Sequence, residues 1–438
     1  MRLPITVIAP TLMYRKAIWI ILTTVAVLAI SNYLTGAVFR AFRPSNSDFS
    51  ELYVSSRLWR QGQNPYDPMI ATAARQRVVG GTGSIFLINV PTSLVLAAPF
   101  TFLPWGRANF FFLMLGMAGL GATIFGLLRL RQASSFGLET AALIVVVLSF
   151  SPLRIAFQWG NIVLLVLPLS ILTVVLAESH YDWQAGVLLG LACCLKPQIG
   201  VWLGVYYLVR RRFKIVVSSL MTSLLVAALF LLHPIPYRTL VACYQTNMRH
   251  WFAPGQPYGF TEGSVASVLL RTQSVFYPLT HSVPASNWMA NTLFLGGVAV
   301  WGILMWRSGK RIRASLAIAA LWSLSFLSMY HSIPDVSILT IALCDVFPSS
   351  LRDWTKIQKL TFALLFLMML PARSIFVFVD RHLGGPIIQS WWWNLFFVRH
   401  FAWLLVALSF ALLQRMREAS REKDGKNHHV DLQGCESV

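Results

Sequence analysis

Charge is what this sequence has least of: Asp, Glu, Lys and Arg make up 12% of its 438 residues, and 16 residues in all are acidic. A soluble chain of this length needs far more polar surface, so an ordinary soluble enzyme is excluded. Cysteine is also sparse. Cys193, Cys194, Cys243, Cys344 and Cys435 show no CxxC and no metal-ligand spacing, which argues against a disulfide framework and against a zinc site. No glycine-rich phosphate loop is present, so nothing points to a bound nucleotide or other cofactor. No internal repeat marks a transporter built of inverted halves.

What is there is apolar: 56% of the chain is hydrophobic, with 29 Phe and 16 Trp. Such a chain is an integral membrane protein. Apolar runs at about 17–39, 85–103, 108–128, 137–151, 160–177, 185–209, 215–233, 287–306, 315–330, 333–347, 359–378 and 391–413 are each near spanning length. They predict an all-α polytopic bundle of about twelve transmembrane helices in one domain, 1–413, followed by a polar tail, 414–438, expected to be disordered in the cytoplasm. The formal net charge of +20 is no sign of nucleic acid, because the cations cluster between runs, at Arg210–Lys214, Arg307–Arg313 and Arg352–Lys359. That pattern puts both termini inside and two long loops, 40–84 and 234–286, outside, each carrying short amphipathic helices. Arg129 and Arg131 disagree, falling outside by this threading.

The polar stretch DFSELYVSSRLWRQGQNPYDP, residues 48–68, reads as a short amphipathic helix along the membrane surface, closed by a turn from Gly62 to Pro68. Asp48 opens it, either as a helix cap or as a base working at the membrane boundary. Lys196 lies about ten residues into its run, beside the helix-breaking Pro197. A cation there is costly, so it has a partner: a lipid-linked phosphate, or a carboxylate from another span. His331 and Asp335 are spaced to share a helical face and orient a sugar hydroxyl, unless Asp335 only caps a turn. In the second loop, Glu262 and Ser264 are helix caps or ligands, and Arg271 faces headgroups or a phosphate. Tyr53, Trp59, Tyr66 and Trp251 stack on sugars or anchor their loops at the interface. The spacing offers no metal site.

Three segments in order resemble a known family. The first is the 48–68 stretch with its G-x-N-P-Y-D-P ending. The second is QWGNIVLLVLPL, similar to G-Q-x-N before a leucine-rich span, with Gln and Gly exchanged. The third is AGVLLGLACCLKPQIG, similar to A-G-x-x-x-G-x-x-x-x-x-K-P-Q. Together, over about residues 45–215, they resemble the polytopic glycosyltransferases of family 87, in the GT-C fold class. GSVASVLLR departs from that family's N-Q-S-L-x-G-x-L-x-R, and Pro334 stands where a Tyr is expected.

The resemblance implies a GT-C-like bundle and a catalytic Asp48 in an outward-facing site between the two long loops. It also implies a polyprenyl-phosphate-linked donor, mannose among the sugars. Lys196 and Arg271 then hold the donor phosphate, while Tyr53, Tyr66, Glu262, His331 and Asp335 contact substrate. The expected reaction is a single inverting transfer to a glycolipid or glycan acceptor in a bacterial inner membrane, among membrane lipids and with no nucleic-acid partner. A transporter or flippase of a lipid-linked glycan is the alternative.

Overall fold

The computed structural model describes residues 9–41, 47–132, 137–232, 234–253, 256, 259–261, 270–308, 311–347, 354–368 and 390–433. Among these, every regular element is helical. Four helices are long and apolar enough to cross a bilayer: α1 (Ala9–Ala41) through its Ala17–Thr35 stretch, α5 (Trp105–Arg131), α11 (Phe213–Leu231) and Val283–Ser308. A fifth crossing arises if α6 (Leu138–Ser149) and α7 (Ser151–Trp159), bent by 43°, act as one. Other apolar runs form shorter helices, among them α8 (Val163–Glu178), α9 (Asp182–Leu195) and Ala314–Ser328. Twelve full-length spans are therefore not what the described residues contain.

Three local corrections follow from chain chemistry. The run at 85–103 is no continuous span: Pro91 and Pro99 limit it to α4 (Pro91–Ala97) and a 3-10 turn, Ala98–Phe102. The run at 333–347 is wound mainly as a 3-10 helix, Ile333–Ala342, all of it buried. The tail expected to be disordered continues a helix from His400 to Gln433, because its Arg, Glu, Ala and Lys residues are strong helix formers.

Losing the crossing at 85–103 also removes the conflict over Arg129 and Arg131, because α5 then runs inward to them. The charges of Arg131 and Arg313 both act on Cys344, Arg415 pairs with Asp345 at 3.0 Å, and Arg210 donates to the Ile312 carbonyl at 2.8 Å. These basic helix ends share one end of the bundle, the one that cation clustering assigns to the cytoplasm.

In the first long loop, α2 (Asp48–Arg60) starts because Ser47 is extended and its Oγ accepts from the Ser50 N–H at 3.1 Å. Ser47 is the cap, which frees the Asp48 carboxylate. Asp48 and Glu51 in the first turn, with Arg57 and Arg60 in the last, complement the helix dipole. The helix does not lie on a surface, as the sequence suggested. Eight of its 13 residues are buried, because Phe49 stacks on Phe112 with centroids 4.0 Å apart and the Tyr53 hydroxyl donates to the Leu103 carbonyl at 2.7 Å. A second helix, α3 (Pro68–Val79), is capped by Asp67, whose Oδ1 accepts from Met69 N at 2.9 Å.

Glycine permits a close helix contact. α9 and α11 run side by side in the same direction, and a Cβ on Gly186 would lie 2.5 Å from the Ile215 carbonyl oxygen and the Ser218 Cβ. Gly186→Val is expected to destabilise the protein by about 1–3 kcal/mol through overpacking. Gly204→Ala, which meets nothing within 4 Å, should be nearly neutral. Thermal unfolding of both variants in detergent checks the contrast; equal midpoints would refute it.

Candidate active site

Five ends or breaks in the helical framework, together with one helix, converge on a cavity of about 470 Å³. Its walls come from the start of α2, the 88–90 strap, the α7–α8 junction, the break between α9 and α10 (Pro197–Val209), the helix α12 (Tyr237–Phe252), and the 329–332 turn. A broken helix leaves backbone and polar side chains at membrane depth only where they line a cavity, which these do.

The two long loops are tied to each other above it. Asn247 of α12 donates to the carbonyls of Tyr66 at 3.0 Å and Leu87 at 3.1 Å, and the Trp251 indole donates to the Phe86 carbonyl.

Asp48 opens onto this cavity. Its Oδ2 accepts a hydrogen bond from Asn161 Nδ2 at 2.6 Å, and Asn161 Oδ1 accepts from Val163 N at 3.0 Å. The amide is thereby fixed at both ends. Gly160 makes the arrangement possible: its left-handed φ of 60° ends α7 and turns the chain toward Asp48, and a side chain there would meet the Phe49 Cβ at 3.3 Å. The Asp48 carboxylate faces the cavity but is ringed by protein, and that desolvation raises its pKa against the lowering influences of Asn161 and Lys196.

One turn on, Glu51 lines the same wall, and burial together with the Asp48 charge lifts its pKa to about 7. Arg75, from α3, opposes that rise and approaches Glu51 Oε1 at 3.4 Å.

Lys196 sits at the α9–α10 break, where Pro197 starts a new helix. Lys196 lines the cavity, and its ammonium is ion-paired with Asp335, 139 residues away. Asp335 is fully buried; its Oδ2 accepts from Ser332 N at 3.0 Å, closing a capping box, and lies 3.4 Å from His331 Nδ1. Of the two readings of Asp335 the cap is the one seen, and the same carboxylate is the partner of Lys196. His331 is buried behind it, stacked on Phe326 with centroids 4.1 Å apart. Neither His331 nor Asp335 lines the cavity, while Ser332 and Tyr330 do.

The remaining candidates stand behind the wall. Tyr53 is buried and bonded to Leu103; Tyr66 is buried, its hydroxyl donating to the Asn89 carbonyl at 2.8 Å and its edge against Tyr244. Arg271 is buried between the rings of Phe252 and Phe260, at 5.2 and 4.9 Å, and desolvation lowers its pKa to about 10. Glu262 lies outside the described residues. Of the aromatic residues singled out, Trp251 lines the cavity, joined by Trp159, Tyr244, Phe252 and Tyr330, which sequence reasoning did not single out. Asn161 was missed as well, although the quoted segment QWGN contains it. Among the described residues no group of three His, Cys, Asp or Glu side chains is placed to hold a metal.

A second, apolar groove of about 400 Å³ lies between α4, α5 and α8 and shares Phe49, Leu52, Ile162 and Leu195 with the polar cavity.

The model of glycosyltransferase family 87 matches residues 86–329, a span that holds Asn161, Lys196 and Arg271 and begins after Asp48. No curated protein matches the chain. Among solved structures, the chain is similar to ArnT from Cupriavidus metallidurans bound to undecaprenyl phosphate, at 14% identity and a TM-score of 0.37, over 96% of this chain and 81% of that one.

Proposed function

The chain belongs to glycosyltransferase family 87, and from that premise we propose that it transfers a hexose, mannose first among the candidates, from a polyprenyl-phosphate donor to a lipid or glycan acceptor on the outer face of the membrane. The observation that carries this reading is a carboxylate, Asp48, held by Asn161 at the wall of a cavity that Lys196 also lines. Such a transfer needs one base and a cation for the departing phosphate.

In the proposed step Asp48 takes the proton from an acceptor hydroxyl as its oxygen forms a bond to the donor's anomeric carbon. The bond from that carbon to the phosphate oxygen breaks, and the polyprenyl phosphate leaves with the electron pair. Attack opposite the leaving group inverts the anomeric centre. The pKa of Asp48, raised by burial, makes it a stronger base than a free carboxylate. Lys196 has three N–H donors and Asp335 occupies part of that capacity, so donors remain for the phosphate. The apolar groove behind Phe49 and Leu52 suits a polyprenyl chain with its head in the polar cavity. A GT-C-type bundle, in which the short and broken helices complete the membrane crossing, accommodates the same arrangement.

Membranes containing the chain are expected to move radiolabel from polyprenyl-phosphate mannose into a lipid or glycan product with inverted anomeric configuration. Retention of configuration, or no turnover with any polyprenyl-phosphate hexose, would sink the proposal.

A further inference from the structure

Glu51 has no part in the step above, yet it is a neighbour of the base by construction. Residues three apart on a helix have Cβ atoms about 5–6 Å apart on one face, and both Asp48 and Glu51 face the cavity. Behind Glu51 stands Arg75, whose side chain is only 4% exposed and whose Nη1 approaches Oε1. Arg75 is the sole hydrogen-bond partner of the Glu51 carboxylate among the described residues, and the Arg75 Nε is buried without one. One oxygen of the Glu51 carboxylate is therefore anchored by a buried cation, and the side chain, 29% exposed, lines the cavity. A salt bridge built for stability alone has no need to present a carboxylate to a polar cavity beside the base.

Resting on the transferase reading, we infer that Glu51 is the acceptor-orienting residue: it accepts a hydrogen bond from a second hydroxyl of the acceptor while Asp48 takes the proton of the first. The span from Asp48 to Glu51 fits hydroxyls on adjacent or next-adjacent carbons. The acceptor class is thereby a sugar or other polyol presenting such a diol, rather than a lone alcohol or a protein hydroxyl. Arg75 is a positioning residue that fixes which edge of Glu51 faces the ligand.

Two activities of the same membranes test this, both with polyprenyl-phosphate [14C]mannose as the probe: transfer to the endogenous acceptor, and release of free sugar when water takes the acceptor's place. Water has no second hydroxyl to lose. Glu51→Ala should lower the ratio of transfer to release of free sugar roughly 10- to 100-fold, the range for a hydrogen bond to a charged group. Glu51→Gln keeps an acceptor oxygen without the charge and should recover part of the transfer. The ratio of the two activities is independent of how much protein folds, which covers any loss from leaving Arg75 unpaired. Equal loss of both activities, or loss of neither, would overturn the inference. Wild-type membranes showing neither activity would instead remove the transferase reading on which it rests.

Discussion

Asp48→Asn is expected to abolish sugar transfer while leaving the protein in the membrane at wild-type levels. The substitution is isosteric, and the Asn161 amide still finds an oxygen to donate to, so packing around α2 is preserved. What disappears is the proton acceptor, and a positioned base contributes typically 10²- to 10⁴-fold. The loss should fall on kcat with little change in the KM for the donor, because Asp48 is assigned to the acceptor proton. The pH profile gives a second signature. The base works deprotonated, so the rate falls as pH drops through its pKa, and burial sets that limb above the range of a free carboxylate. Asn161→Ala removes an influence that lowers the pKa and should move the same limb to higher pH. An Asp48→Asn enzyme with undiminished transfer would exclude this carboxylate as the base.

Lys196→Met is expected to have the largest effect on stability. It leaves Asp335, which is fully buried, without its cation, and breaking a buried pair in this way costs about 3–5 kcal/mol. The double variant Lys196→Met with Asp335→Leu removes both charges and should regain most of that loss. If the ammonium also holds the donor phosphate, the double variant stays inactive or shows a strongly raised donor KM. Unfolding in detergent, paired with donor titration, separates the two roles. Full activity in the stable double variant would reduce Lys196 to a structural ion.

Much of the site was legible because it breaks local rules. A polar stretch after an apolar run pointed to Asp48, and a lysine beside a proline within an apolar run pointed to the α9–α10 break. The partners were not legible, because they are long-range. Nothing local ties Lys196 to Asp335, or Asp48 to an asparagine 113 residues later. Arg75 was not singled out at all, since its burial and its contact with Glu51 on α2 are tertiary facts. Tyr53 and Tyr66 misled for the opposite reason: tyrosines near a polar loop suggest sugar contact, but backbone carbonyls of Leu103 and Asn89 already occupy both hydroxyls. The threading of 104–160 erred because the apolar run at 85–103 reads as a crossing, whereas Pro91 and Pro99 break it into a short helix and a 3-10 turn.

The pairing of Lys196 with Asp335 also has a history in time. The ribosome adds roughly 5–20 residues per second, so the 139 residues between them amount to roughly 7–28 seconds of synthesis. For that interval the lysine is in the nascent chain and its counter-charge does not yet exist. The tip between α9 and α10 must then be held at the bilayer edge or in water. The arrival of the 331–335 turn then neutralises a charge the chain has carried since its first half was made.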